Sequence, residues 1–598
     1  MNLLEQLFRV PYVDSETGFD ISPDGKSIAF SWNIHGTWEI FISEISGNKQ
    51  PEQITRGPGG KINPIWSPDG NTLAYMQDLK GSESYHLHLL NLVACKDKDL
   101  TEKITYPLHP HFDWTPDGNY LVYISIEKGF YGIYKQSIVD DQIIPICSFK
   151  QPLRDICISP NGELLAIEAE AAGTESSIIL VPIKTGEKKY LSENGIVLPA
   201  MNPSWSPDGS KLVFSSNISG YHDIGIFEIE SERIEWLSKG ETEDLQPVWS
   251  PSGDQLAYIQ NQGCSAELII KAGGQSYSSN LGKGVFYSPK FTPDGTKVLT
   301  VYEDPCHPPD IWSFSIEKQE LTQLTNSYPD ELGSINLVIP EEITYPGLDG
   351  ESIPALLYQP HLEQEGKGQD QPAIVNIHGG PDWLYQFIWN PFMSYLSSKG
   401  WVVLAPNYRG STGYGREWQK ATRFKMGELD AEDIVAGAEF LINKKIADPS
   451  RIIVTGRSHG GYLTMMCLIK RPELWAGGSA VVPFLNLFSS HEESRQDLQQ
   501  WNIENYGDPI ENHDRWMAAS PYFFLDQIKV PVQLICSTND VRCPASDAIA
   551  SHQKLKEMGL SSELIVFPDE GHQLLKIENI VKSYKKQVRY FKRVLNEN

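Results

Sequence analysis

Ser458 stands in the run Gly456-Arg457-Ser458-His459-Gly460-Gly461, a G-x-S-x-G phrase. A serine hydroxyl attacks a carbonyl only when a base takes its proton. The phrase supports that chemistry where a strand enters it and a helix leaves it, because the sharp turn lifts the hydroxyl above the sheet. Both conditions are met: Arg451–Thr455 is a short apolar run, and Tyr462–Lys470 has helical spacing. In this setting an acid and then a histidine follow the serine in the chain, each just after a later strand. The apolar run Val532–Cys536 leads into Ser537-Thr-Asn-Asp540, and Glu563–Phe567 leads into Pro568-Asp-Glu-Gly-His572. Asp540 is therefore the expected acid and His572 the expected base. Asp569 and Glu570 are alternative acids, but they share the loop of His572 rather than facing it. The side chain of His459 adjoins the serine and does not easily turn back to its hydroxyl. His491, His513 and His552 lack a strand-end setting. The oxyanion of an acyl-transfer intermediate needs fixed donors. One is the backbone N–H of His459. The other is expected from His378-Gly379-Gly380-Pro381 after the run Ala373–Ile377, with Gly380 N–H first and Gly379 second. No metal or organic cofactor is required by this chemistry.

Such a site needs a scaffold that delivers several loops to one edge. After about residue 328, short apolar runs alternate with helical stretches. The expected strands are Ala373–Ile377, Trp401–Ala405, Arg451–Thr455, Gly478–Val482, Val532–Cys536 and Glu563–Phe567. Segments such as Asp430–Lys444, Tyr462–Lys470 and Ala545–Met558 read as helices. Alternating strand and helix imply a mostly parallel, doubly wound sheet over residues 329–598.

The first half follows another rule. A phrase of the type Trp-Ser-Pro-Asp-Gly recurs seven times, with its proline at 23, 68, 116, 160, 207, 251 and 293. Successive gaps are 45, 48, 44, 47, 44 and 42 residues. Proline presets the turn, and Asp-Gly tolerates the positive φ of a tight hairpin. Alternating segments such as Ser27–Trp32 and Thr72–Met76 follow the turns, as half-buried strands do. A repeat of about 45 residues built of short strands is the mark of a propeller blade. Seven repeats over residues 15–328 predict a seven-bladed β-propeller, closed by packing rather than by a shared strand. The repeated Trp, Phe and Ile positions read as core between blades. His86-x-His88 and His109-x-His111 lack a third ligand at a recognisable spacing and read as structural rather than metal-binding.

Composition removes several classes of function. Asp+Glu is 77 against Lys+Arg 50, a net charge of 50 − 77 = −27. Such a chain repels phosphate backbones, so nucleic acid is not an expected partner. No run reaches the roughly 18 apolar residues of a membrane span. Glu5 interrupts an N-terminus that has no basic start, which argues against a signal peptide. Eight scattered cysteines without a CxxC fit free thiols in a reducing compartment, so a cytoplasmic location is expected.

Taken together, His378-Gly-Gly-Pro381, Asn407-Tyr-Arg-Gly410, Gly456-x-Ser-x-Gly-Gly461 and Asp569-Glu-Gly-His572 resemble the prolyl oligopeptidase family of serine peptidases. The resemblance spans nearly the whole chain and implies a seven-bladed propeller followed by an α/β-hydrolase domain. Gly-x-Ser-His-Gly-Gly is similar to the acylaminoacyl-peptidase branch. The resemblance implies short peptides as substrates, a propeller that limits their size, and a substrate-carbonyl contact for Arg542, two residues after the acid. It also implies that residues 1–14 form a segment packing on the hydrolase. The Glu pair with which the dipeptidyl-peptidase branch grips a free N-terminus has no convincing counterpart in the repeats; Glu492-Glu493 lies in the hydrolase half. An esterase with the same triad and a non-enzymatic propeller binding module stay open as alternatives, and the sequence leaves room for a homo-oligomer.

Overall fold

The computed structural model describes every residue except 1, 48, 128, 172–174, 280, 334, 361–370, 597 and 598. The outer limits expected for the domains, 1 and 598, thus lie outside the described residues. Contacts divide the chain into two units, Pro11–Leu79 with Glu83–Asp330, and Met1–Val10, Lys80–Ser82 and Glu331–Asn598.

The first unit is built of antiparallel meanders. Four-stranded sheets cover Phe19–Gln53, Leu153–Tyr190 and Ala200–Trp236, and two eight-stranded sheets cover Gly60–Phe149 and Glu243–Gln323. Each eight-stranded sheet is two meanders joined by a single bridge, Tyr85 to Leu108 and Ala266 to Val285. The recurring phrase makes the same turn each time. In the first, Ser22 Oγ donates to Asp24 Oδ1 at 2.7 Å and accepts from Ser27 N–H at 2.9 Å. The hydroxyl and carboxylate thus satisfy backbone groups that a tight turn leaves unpaired. Gly25 sits at φ +70° and the other six phrase glycines between +68° and +75°, a region that L side chains seldom enter.

The phrases also touch one another in sequence. A Cβ placed on Gly70 would lie 3.7 Å from the Pro23 ring, and one on Gly118 3.5 Å from Pro68. The pattern runs on through Gly162 and Pro116, Gly209 and Pro160, Gly253 and Pro207, and Gly295 and Pro251. It then returns to the start, with Gly25 against Pro293 at 3.2 Å. Among the described residues no sheet closes on itself, and the first and last sheets share no strand. Their side chains share one core, Phe30 and Trp32 with Leu299, Val301 and Ile311. Val13 adds a backbone tie: it bridges Trp32 and donates its N–H to Pro309 C=O at 3.0 Å. That tie is why Pro11–Asp14 group with the sheets while the chain up to Val10 does not. Three of the closely spaced histidines of this unit face carboxylates: His86 lies 2.9 Å from Asp99, His88 3.2 Å from Asp97, and His111 3.0 Å from Asp155.

The second unit is a single eight-stranded sheet with helices. Its strands are β1 (Glu341–Pro346), β2 (Ser352–Tyr358), β3 (Ala373–Ile377), β4 (Val402–Pro406), β5 (Ile452–Arg457), β6 (Gly477–Val481), β7 (Val532–Ser537) and β8 (Ser562–Phe567). Their order is β1-β2-β4-β3-β5-β6-β7-β8. β1–β2 and β2–β4 pair antiparallel, and every other pair is parallel. The central strands are buried on both faces, which is why they read as continuous apolar runs. Val375, Leu404, Val454 and Leu534 form one core with Ile434, Leu463 and Leu468 from the helices. The helix Leu3–Phe8 starts on Asn2, whose side chain accepts Glu5 N–H at 3.0 Å. Phe8 stacks on Tyr584 of the helix Ile577–Val594 at 4.0 Å, and Arg9 pairs with Glu578 at 2.7 Å. These contacts hold the N-terminal helix in this unit.

Candidate active site

β5 runs directly into Ser458, which sits at φ +57°, ψ −121° and precedes the helix His459–Lys470. A non-glycine residue in this region carries backbone strain that the surrounding structure must hold. The holding parts are visible. Ser458 N–H donates to Val481 C=O at 2.9 Å, and Tyr462 N–H donates to Ser458 C=O at 3.0 Å. A Cβ on Gly456 would lie 2.4 Å from Gly460 C=O oxygen, and one on Gly460 would lie 2.3 Å from that of Ile377. The glycines of the phrase are therefore steric requirements of the turn. The first N–H groups of the helix have no partner one turn back, so they add partial positive charge beside the hydroxyl.

Asp540 follows β7 and His572 follows β8. His572 Nδ1 lies 2.8 Å from Asp540 Oδ2, and the two residues are 5% and 7% exposed. The other carboxylate oxygen accepts the N–H groups of Arg542 at 2.9 Å and Cys543 at 2.8 Å, which fixes the acid. The two loops are tied together: Thr538 N–H donates to Phe567 C=O at 3.1 Å, Asn539 N–H to Glu570 C=O at 2.9 Å, and Asp569 N–H to Thr538 Oγ1 at 3.0 Å. Arg457 donates from Nη2 to the carbonyl of His572. Burial pushes the His572 imidazole below its ordinary value of 6.5, Asp540 opposes that push, and the charges of Arg457 and Arg542 add to it. The alternative acids are placed otherwise. Glu570 accepts Leu575 N–H at 2.8 Å and Asn579 Nδ2 at 2.5 Å, so it braces its own loop. Asp569 is exposed.

Ser458 Oγ lies 3.9 Å from Cys543 Sγ, and among the described residues it makes no hydrogen bond to His572. Such bonds are often loose without substrate and tighten when it binds. The loop after β3 backs against the nucleophile: a Cβ on Gly379 would lie 3.4 Å from Ser458 Cβ. His378 anchors this loop. Its ring stacks on Tyr408 at 4.3 Å and its Nε2 lies 2.9 Å from Ser411 Oγ. Burial pulls His378 down to about 3, so the ring is neutral. Asn407 and Arg409 brace the same region. Asn407 exchanges hydrogen bonds with the backbone of Tyr385 at 2.6 and 3.0 Å, and Arg409 grips buried Asp433 at 2.6 Å.

The structure thus pairs Asp540 with His572 and sets Gly380, Ser458 and Arg542 around one cavity of about 160 Å³. The side chain of His459 points elsewhere, with Nε2 3.4 Å from Asp430 Oδ2. Sequence reasoning did not find the cavity walls, which include Phe484, Leu487, Leu498 and Trp501. They lie between β6 and β7: Phe484 in the loop before the helix Leu487–Glu493, Leu487 at the start of that helix, and Leu498 and Trp501 on the helix Gln496–Tyr506. The only hint in the sequence is the apolar cluster Val482–Phe488.

Comparison with known proteins bears on the same residues. The sequence model of the prolyl oligopeptidase family matches residues 385–598, a span that holds Ser458, Asp540 and His572. Residues 385–598 are thus similar to the prolyl oligopeptidase family. A TolB beta propeller domain model matches residues 84–281, within the meanders. An uncharacterized peptidase of Bacillus subtilis, YuxL, is 26% identical over 94% of this chain and 94% of its own. The acylamino-acid-releasing enzyme of Arabidopsis thaliana is 33% identical over 36% of this chain and 30% of its own. Among solved structures, a puromycin-hydrolyzing peptidase of Mycobacterium tuberculosis superposes with a TM-score of 0.86 at 18% identity, covering 100% of this chain and 96% of its own. At that identity the likeness shows a shared fold over the whole chain and no more.

Proposed function

We propose that this chain is a serine peptidase that hydrolyses short peptides through an acyl-enzyme, with Ser458, His572 and Asp540 as its triad. The observation that carries the reading is the His572–Asp540 pair at 2.8 Å on adjacent strand-end loops, in the sheet that also holds Ser458 at its strained turn. With Nδ1 engaged by Asp540, Nε2 of His572 takes the proton of Ser458 as its oxygen attacks the scissile carbonyl. The N–H groups of Gly380 and His459 hold the oxyanion, and the positive end of the helix His459–Lys470 favours that charge. His572 then gives its proton to the leaving amine, which breaks the C–N bond. Water, deprotonated by the same imidazole, releases the acid and frees Ser458. Arg542 lines the cavity and is assigned to a backbone carbonyl of the substrate.

The domain reading is a seven-bladed propeller over 15–328, a hydrolase over 329–598 and an N-terminal segment over 1–14. Seven turn phrases, whose Pro–Gly contacts return from Pro293 to Gly25, support the blade number. Eight cysteines, none in a disulfide among the described residues, support a reducing, cytoplasmic setting. No helix among the described residues is long and apolar enough to cross a membrane.

The tetrad Ser458-His459-Gly460-Gly461 and the likeness to the Arabidopsis enzyme over the hydrolase half favour action on peptides with a blocked N-terminus. A fluorophosphonate probe tests the first step, and matched substrates test the second. We expect the probe to label Ser458, and acetyl-Ala derivatives to be cleaved at least as fast as their free-amine twins. An unlabelled Ser458 contradicts the peptidase reading. A preference for the free amine beyond roughly tenfold moves the protein to the aminopeptidase side.

A further inference from the structure

The cavity beside Ser458 has apolar walls and one amide with nothing to bind. Phe484, Leu487, Leu498 and Trp501 form the walls. Ser490 and Ser494 also line it, but their hydroxyls are committed. Ser490 Oγ donates to Asp547 Oδ2 at 2.7 Å, and Ser494 Oγ donates to Ser490 C=O. Asn502 differs from both. It is 7% exposed and lines the cavity, and among the described residues its side-chain amide has no hydrogen-bond partner. Three residues on, the Asn505 side chain is satisfied by Trp501 C=O at 2.9 Å. Asparagine is a poor helix former. The Asn502 amide is not among the fully buried unpartnered groups, so it faces the solvent of the cavity, and leucine has nearly the same shape. A polar group held open to the cavity is available to what enters it.

We propose that this cavity receives the side chain of the residue whose carbonyl Ser458 attacks, and that Asn502 selects tyrosine there over phenylalanine. The proposal rests on the peptidase reading. Size sets the first limit: about 160 Å³ is close to the roughly 150 Å³ of an apolar protein cavity that holds benzene, so one six-membered ring fits. The apolar walls take the ring. The phenol O–H then donates to Asn502 Oδ1 or accepts from Nδ2, since an amide offers both roles. A phenylalanine ring removes the amide from solvent and returns no hydrogen bond. Sites built around such a polar group reject analogues that lack the matching one. Lysine and arginine are disfavoured as well, because Arg542 is the charged residue on the cavity wall.

The test uses peptidyl-aminomethylcoumarins identical except for Tyr, Phe or Ala at the acyl position, with wild-type protein and Asn502→Leu. We expect kcat/KM for Tyr to exceed that for Phe by roughly tenfold or more in the wild type. Asn502→Leu should bring that ratio close to one by lowering the Tyr value. A wild-type ratio within about threefold of one overturns the proposal. So does a ratio that Asn502→Leu leaves unchanged. If the variant fails to fold, the wild-type ratio decides alone. The Ala substrate and the fluorophosphonate label keep the two readings apart. Turnover of Ala with labelled Ser458 but no preference for Tyr overturns the pocket assignment only. Silence on all three substrates with no label overturns the peptidase reading, and the pocket assignment with it.

Discussion

The two units use hydrogen bonds for different ends. In the meanders, Ser22 with Asp24, Thr115 with Asp117 and Ser206 with Asp208 make the same short bond in each turn, between 2.6 and 2.7 Å. Each is local, two residues apart, and each repeats a neighbour's work. In the hydrolase unit, His572 meets Asp540 from 32 residues away, and Arg457 reaches the carbonyl of His572 from 115 residues away. Each of these occurs once. Redundant local contacts build a scaffold that tolerates loss, and single long-range contacts build a site that does not.

Ser458→Ala gives the largest expected effect. By analogy with triad knockouts, kcat/KM on a peptide amide falls on the order of 10⁵–10⁶-fold. The fold remains, because the turn is held by backbone groups and the flanking glycines rather than by the hydroxyl. Circular dichroism with single-turnover assays checks both halves. A variant retaining near-native hydrolysis places the nucleophile elsewhere and removes the contrast between the units.

Arg457 comes next. It lies within the elbow phrase and holds the loop of His572 by its carbonyl. Only neutral His572 accepts the serine proton, so kcat/KM rises with pH through the imidazole's titration. Because burial lowers that titration below 6.5, and Arg457 lowers it further, the acid limb lies below the ordinary histidine value. Arg457→Met removes the like charge, so the limb moves to higher pH. The lost anchor also lowers the plateau by roughly tenfold, the scale at which positioning acts. Profiles of kcat/KM from pH 5 to 8 read both effects. A lowered plateau with an unmoved limb assigns Arg457 to loop support alone and contradicts its electrostatic part.

Legibility in the sequence follows the same division. The central strands appear where apolar runs lie: Ala373–Ile377 matches β3, and Val532–Cys536 falls one residue short of β7. A strand buried on both faces leaves no other choice of residues. β1, Glu-Glu-Ile-Thr-Tyr-Pro, is mostly exposed at the sheet edge and carries no such signal. Asp540 and His572 could be located because the topology fixes them to strand ends. Asn502, Leu498 and Trp501 could not, since they come from a polar helix whose inward face is set by packing against later loops. One such tie is Arg495 N–H to Val541 C=O at 3.0 Å, and no periodicity records it. The repeats present the opposite case. Each turn carries its full hydrogen-bond set within six residues, so the phrase alone specifies the structure.

The smallest expected effect tests redundancy directly. Ser206 is buried, its Oγ donates to Asp208 Oδ1 at 2.7 Å, and it accepts Lys211 N–H at 2.9 Å. Ser206→Ala removes both bonds in one turn of seven. The remaining frame persists: Gly209 N–H still donates to Ser206 C=O at 2.8 Å, and Pro207 still packs against Gly253. Two lost hydrogen bonds of this kind together cost about 2 kcal/mol. In a unit of this size that lowers the midpoint of thermal unfolding by roughly 2–4 °C. Because Ser206 belongs to the meanders and to no part of the proposed site, kcat/KM should stay within about twofold of wild type. Scanning calorimetry and steady-state kinetics on the same preparation check the pair of values. A drop beyond 10 °C, well outside that range, would show that the turns fail cooperatively. Each repeat would then be as indispensable to its unit as Ser458 is to the site.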